Sequence, residues 1–312
     1  MAIWIFIAII AQFINAIVSL IDRYIVSSGK IGRPIILTFY VSLLSSLAIL
    51  VFIFSLINIP LIEALNLPSF SNVNWLNWKI LFLSLLSAIS FIVALYTLFS
   101  SFLLSEASDV VPVVSSISAV SSLFFSFYFL NTTLSGNFLW GFCFLVVGTF
   151  LIAKFRMTRK LFLFCLMSGV LFGLHFVLIK MLFNETNFDN AFFWSRFFIT
   201  IASLSLLLLP NCCGRSVSSE TKTAGKSGVF LILVNKLLAG VAGILVLKAI
   251  QLGDVSVVQA LSGLQFIFLL LFAIFLGHKA PKCIGEHCEI IDRVQKIVSV
   301  SIIVTGFSLL FI

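Results

Sequence analysis

Ten stretches of this 312-residue chain are long, nearly free of charge and filled with Leu, Ile, Val and Phe, and nothing else in the sequence limits the fold as strongly. Hydrocarbon about 30 Å thick takes roughly 20 apolar residues to cross as a helix. The runs lie at 2–21, 34–58, 79–103, 108–130, 138–154, 161–183, 191–209, 227–250, 254–277 and 294–312. With 61% hydrophobic and 10% charged residues, the chain cannot cover itself with a water-compatible surface. Backbone polar groups in lipid must be satisfied internally, and the alternating pattern of a membrane β-barrel is absent. The expected fold is an all-α polytopic membrane protein with ten transmembrane helices.

The links between runs are short. The start, "MAIWIFIAIIAQFINAIVSL", has neither a basic leader nor a small-residue cleavage site, so it reads as a retained first span. The link 59–78 holds Pro60, Pro68, Trp75 and Trp78 and suits the headgroup level, whereas 210–226 is polar and flexible. No link has room for a soluble catalytic domain.

The segment "DVVPVVSSISAVSSLFFSFYFL" (109–130) aligns without gaps on "DVSVVQALSGLQFIFLLLFAIF" (254–275). Asp109 falls on Asp254, Val110 on Val255, Val113 on Val258 and Phe127 on Phe272. Both copies have an acidic start, a small and polar first half and an aromatic second half. Each is the fourth span of a run of five, so the second run must enter the bilayer from the opposite side. The expectation is two inverted five-helix repeats, 1–157 and 158–312, as in secondary transporters whose sites lie between repeats. Chance similarity between two apolar helices is the competing explanation.

Polar residues recur at helical spacing. Ala8, Gln12, Asn15, Ser19 and Asp22 share one face of the first span, and Ser87, Ser90, Ala94, Thr97 and Ser101 one face of the third. Ser115, Ser118, Ser122 and Ser126 form a stripe on the fourth, and Ser256, Gln259 and Gly263 on the ninth. Serine stripes also serve packing, because small residues let helices approach and hydroxyls bond back to their own helix. Amides are more demanding: Gln12, Asn15, Gln259 and Gln265 must face protein or a wet cavity. The pairs Gly169/Gly173 and Ala239/Gly243 read as helix packing alone.

These features together resemble the EamA-type drug/metabolite transporter superfamily, over the whole chain. "EASDVVPVVSSISAVSSLFFSFYFL" and "LGDVSVVQALSGLQFIFLLLFAIFL", Pro112, the run "QALSGLQF", Asn15, Asp22-Arg23 and the closing "VTGFSLLFI" carry the resemblance. It implies a basket of helices around a cavity lined by the first, third and fourth spans and by the sixth, eighth and ninth. Members of that family carry amino acids, sugars, nucleotide sugars, phosphorylated metabolites or drugs, so no particular substrate follows.

Of 19 Lys and Arg, 14 lie in or beside odd-numbered links: Arg23, Lys30, Arg33, Lys154, Arg156, Arg159, Lys160, Arg215, Lys222, Lys226, Lys279, Lys282, Arg293 and Lys296. Even-numbered links hold only Lys79. Basic loops stay cytoplasmic, which places both termini outside, whereas the resemblance more usually implies termini inside. The formal charge of +8 is then a topology signal and calls for no nucleic acid.

The four remaining cations, Lys180, Arg196, Lys236 and Lys248, lie within spans. His175 and Lys236 are the deepest ionisable groups, and a charge at the centre of a span costs at least ~2.5–3.5 kcal/mol. No carboxylate lies equally deep: Asp22, Glu106, Asp109 and Asp254 sit at span ends. This favours facilitated transport or exchange over a buried proton relay, and a carboxylate- or phosphate-bearing solute over a cationic one. The candidate binding residues are Asn15, Ser115, His175, Arg196, Asn235, Lys236, Gln259 and Gln265. Lys snorkelling and a hydrogen-bonded core His are the plainer alternatives.

His278, Cys283, His287 and Cys288 match no standard zinc spacing, and the vicinal Cys212-Cys213 suggests nothing specific. No catalytic constellation, phosphate loop or nucleotide fingerprint is present, so neither an enzyme nor a cofactor is expected. The expected function is a secondary transporter of a small solute in a membrane of the bacterial inner type. A carrier of a lipid-linked metabolite is the alternative, ahead of an intramembrane enzyme or a scaffold. The bilayer is the one macroscopic partner expected, and the oligomeric state is left open.

Overall fold

A computed structural model describes residues 3–27, 34–50, 52, 68–74, 77–105, 107–132, 136–151, 158–208, 226–276 and 290–309. Among these residues the chain is helical and holds no β-strand. The helices are α1 (Ile3–Ser27), α2 (Pro34–Ser46), α3 (Trp78–Phe102), α4 (Ala107–Leu130), α5 (Gly136–Leu151) and α6 (Arg159–Glu185). They continue as α7 (Phe188–Ser205), α8 (Lys226–Leu252), α9 (Val255–Ala260), α10 (Gly263–Leu276) and α11 (Ile290–Leu309). Six segments are long and apolar enough to cross a membrane: Ile3–Ile21, Trp78–Phe102, Val110–Leu130, Arg159–Glu185, Phe188–Leu208 and Val234–Leu252. Shorter apolar helices cover Pro34–Leu50, Phe138–Leu151, Val255–Leu269 and Val298–Leu309. Lys30, Arg33, Lys154, Arg156, Arg215, Lys222, Lys279 and Lys282, the His278–Cys288 cluster and Cys212-Cys213 lie outside the described residues.

Helix starts follow from local chemistry. A new helix leaves its first N–H groups without intrahelical acceptors, and a short polar side chain supplies one. Asn77 Oδ1 accepts from Lys79 N at 3.0 Å, Thr158 Oγ1 from Leu161 N at 3.3 Å and Asn187 Oδ1 from Asn190 N at 2.8 Å. Asp254 Oδ1 accepts from both Ser256 N (2.8 Å) and Val257 N (3.3 Å), so this span-end carboxylate caps α9.

The run 254–277, expected as one span, is interrupted. After α9, Ser262 N bonds Gln259 O, Leu264 N bonds Leu261 O and Gln265 N bonds Ser262 O, each three residues back. These tighter 3₁₀-type turns break the α ladder at Leu261 and Ser262. Gly263 opens α10 where Thr149 of α5 presses in, and a Cβ there would collide with Thr149 Oγ1. Pro112, at the corresponding stretch of α4, is carried inside an unbroken helix.

The helices pair in a definite pattern. α1 packs along α8, and α3 along α6; α2 lies on α7, α4 on α9, and α5 on α11. Close approach depends on glycine. A Cβ on Gly173 of α6 would meet Ser118 O at 2.8 Å, Ser121 Cβ at 2.8 Å and Ser122 N at 2.9 Å on α4. Gly169, one turn earlier, faces Ile117 and Val114 O. The Gly169/Gly173 pair is therefore the seam between α4 and α6. Some serines in the stripes bond back within their own helix, as Ser90 Oγ does to Ser87 O, Ser101 Oγ to Thr97 O and Ser122 Oγ to Ala119 O, whereas the hydroxyls of Ser118, Ser126 and Ser256 are buried with no partner among the described residues.

One end of the bundle is knitted by polar contacts. Asp189 Oδ2 accepts from Asn72 Nδ2 (2.7 Å) and Ser69 N (3.2 Å), while Asn190 Oδ1 accepts from Asn74 N (3.1 Å). Lys79 pairs with Glu185 across α3 and α6. Lys180 does more than snorkel: its Nζ donates to Ile250 O (2.8 Å), Gln251 O (3.0 Å) and Gly253 O (2.8 Å), satisfying the end of α8. Lys248 lies over the Phe188 ring at 4.7 Å.

Candidate functional site

Four helices leave a cavity of about 200 Å³ between them: α2, α3, α7 and α8. On α8 the lining residues are Lys236, Ala239, Gly240, Gly243 and Ile244, which share one face because they recur at three and four residues. Built Cβ atoms on Gly240 and Gly243 meet nothing within 4 Å. The Ala239/Gly243 pair, expected to be a packing motif, therefore clears space. The difference from Gly169/Gly173 is that, among the described residues, nothing packs within 4 Å of a Cβ on Gly240 or Gly243.

Arg196 enters from α7 and is only 7% exposed. Its Nη1 donates to Ser45 Oγ of α2 at 2.9 Å, and its Cζ lies 5.3 Å from the centre of the Phe192 ring. Its Nε is buried with no hydrogen-bond partner among the described residues. No carboxylate pairs with it among the described residues: Asp189 is held by the 69–74 segment and Glu185 by Lys79. Burying a cation without a counter-charge is costly, so this placement needs a reason beyond folding.

His175 stands behind the cavity wall. It is 2% exposed, with Nδ1 2.9 Å from Ser87 Oγ and 3.0 Å from Ser87 O, and its ring lies 4.9 Å from that of Phe91. Phe91 lines the cavity and His175 does not, so His175 fixes the wall. Asn235, adjacent to Lys236, is fully buried.

The other expected site residues are elsewhere. Asn15 Nδ2 faces Gln12 Oε1 within α1 at 3.4 Å, and Gln265 Nε2 donates to Ser19 Oγ at 2.7 Å, tying α10 to α1. Gln259 is buried in α9, and Ser115 is half-buried on α4. None of these four lines the cavity. The structure thus brings Arg196 and Lys236 to one cavity, with His175 behind its Phe91 wall. Of the first, third, fourth, sixth, eighth and ninth spans expected around a substrate cavity, the third and eighth line this one, joined by the second and seventh. Ser45, Phe91 and Phe192 were missed, since a serine and two phenylalanines in apolar runs carry no signal of their own. Only the proximity of Arg196 marks Phe192 one turn away.

No family model matches the chain, and no curated protein matches it. A solved crystal structure of a protein has the same fold with a TM-score of 0.66, at 15% identity over 99% of this chain and 95% of the other. At that identity the likeness concerns fold alone.

Proposed function

We propose that the chain is a secondary transporter of the drug/metabolite type that moves a small solute by alternating access. In this reading all ten apolar segments cross the membrane, as two inverted repeats, 1–157 and 158–312. The observation that carries it is the cavity itself, which is walled by two helices from each half and lined by two cations of apolar helices, Arg196 and Lys236. The helix pairing supports the repeat. An axis exchanging the halves turns α1 on α8 into α6 on α3, and both contacts are extensive. The same exchange maps α2 on α7, α4 on α9 and α5 on α11 onto themselves. The register that sets Asp109 on Asp254 also sets Phe91 on Lys236, and both line the cavity. The interruption between α9 and α10 is of the kind transporters place at the repeat interface.

The test uses Gly240→Leu, which fills the cavity from a position with free space around it. Metabolites are compared in cells making either protein, and those that differ are offered to proteoliposomes. Uptake should occur with the unaltered protein and fall at least about tenfold with the variant, as expected when a ligand's volume is taken by a side chain. Equal uptake refutes the reading; redistribution of a lipid between leaflets points to a lipid-linked cargo instead.

We place the chain in a membrane of the bacterial inner type, and the charge bias supports basic links in the cytoplasm and both termini outside. A reporter fused after Ile312 should then read the outside of the cell, and one within 155–160 the cytoplasm. The reverse pair of results overturns the orientation alone.

A further inference from the structure

We propose that the cavity takes a compact organic oxyanion, a carboxylate or phosphate carried on an apolar body of about ring size, and that Arg196 holds its charged end. The proposal rests on the transporter reading for its use, but its chemistry stands on the cavity.

Arg196 carries five N–H donors in a rigid fork, and the structure assigns a protein acceptor to Nη1 alone. Its Nε is buried and unmatched, and the side chain borders the cavity. An oxyanion meets such a fork through two parallel hydrogen bonds, and it also supplies a counter-charge that no described residue provides. Lys236 brings a second ammonium group to the same space from α8. The remaining walls are apolar: Leu44, Phe91, Phe192 and Ile244, with Gly240 and Gly243 leaving the floor open. A cavity of about 150 Å³ lined by such side chains holds benzene. One of about 200 Å³ holds a ring with one charged substituent. A cationic solute would be repelled by the Arg196 guanidinium, and a neutral one could accept from Nε but would bring it no counter-charge.

The full chain in phosphatidylcholine nanodiscs is melted with benzoate, with its neutral isostere benzamide and with its cationic isostere benzamidine, at constant ionic strength. Phenyl phosphate forms a fourth arm, and phosphatidylglycerol in the disc a fifth. Benzoate or phenyl phosphate should raise the melting temperature by roughly 2–4 °C at tenfold Kd, with no rise from the neutral and cationic isosteres. Arg196→Gln and Gly240→Leu should each fold and lose that rise. Equal shifts from benzamide or benzamidine overturn the proposal, as does a benzoate shift that survives Gly240→Leu, or no shift from either anion. A rise caused by phosphatidylglycerol and lost in Arg196→Gln overturns it in favour of a lipid headgroup. Loss of anion preference leaves the transporter reading intact, because solute uptake is measured separately. Failed uptake with intact benzoate binding leaves a binding cavity that does not carry its ligand across.

Discussion

Gly173→Leu should leave little folded protein, whereas Gly240→Leu should melt close to the unaltered chain. Gly173 sits where α6 meets α4, and even a Cβ would lie within 2.9 Å of Ser118 O, Ser121 Cβ and Ser122 N. Two of those three atoms belong to the backbone of α4, which cannot move aside as a side-chain tip does. Overpacking of this kind costs roughly 1–3 kcal/mol and more where backbone must shift, enough to lower the melting temperature by about 5 °C or more, or to prevent assembly. At Gly240 the same leucine enters open space. The check is a thermal melt by size-exclusion chromatography in detergent, with both variants made in parallel. Similar melts for the two variants would show that the α4–α6 seam is not held by close approach.

Arg196→Gln should abolish or severely weaken transport of the solute while leaving stability unchanged or raised. The argument turns on sign. A guanidinium whose counter-charge arrives with the solute destabilises the empty protein and strengthens the loaded one. Removing it relieves the first effect and forfeits the second. Loss of one partner of a buried charge pair costs about 2–5 kcal/mol in binding, or roughly 30-fold to several thousand-fold in apparent KM. Arg196→Lys keeps the charge without the fork and should fall between. Lys236→Gln, on a half-buried side chain, should raise apparent KM by a smaller factor, on the order of tenfold. Uptake kinetics in proteoliposomes, read beside a thermal melt, check all three. Normal uptake by Arg196→Gln, or a large fall in its melting temperature, would assign the guanidinium a structural task.

Much of the bundle is legible in the sequence because lipid leaves few options: a run of about 20 apolar residues becomes a helix whatever surrounds it. Arg196 and Lys236 are legible for the same reason, as charges stranded in such runs. What depends on a neighbour is not. Gly173 and Gly243 look alike along the chain, yet one is a contact and the other an opening, according to whether a second helix lies over it. Gln265 and Asn15 are half-buried amides, and the sequence does not show that one bonds Ser19 and the other Gln12. Lys180 reads as a residue near a span end; that it holds two carbonyls at the end of α8 and that of Gly253 just beyond follows only from where α8 stops. The break at Leu261 and Ser262 escapes hydropathy altogether, since 3₁₀ and α turns are equally apolar.

The central claim, that the two halves open the Arg196–Lys236 cavity to each side in turn, is tested most directly by side-specific labelling. Ala239 lines the cavity on α8, and Ala239→Cys in a background lacking the native cysteines places one thiol there. A membrane-impermeant maleimide is applied to vesicles of each orientation, with and without the solute. Alternating access predicts labelling from both sides, with rates that change in opposite directions when solute is present on one side. Labelling from one side only, at a rate indifferent to solute, would contradict it.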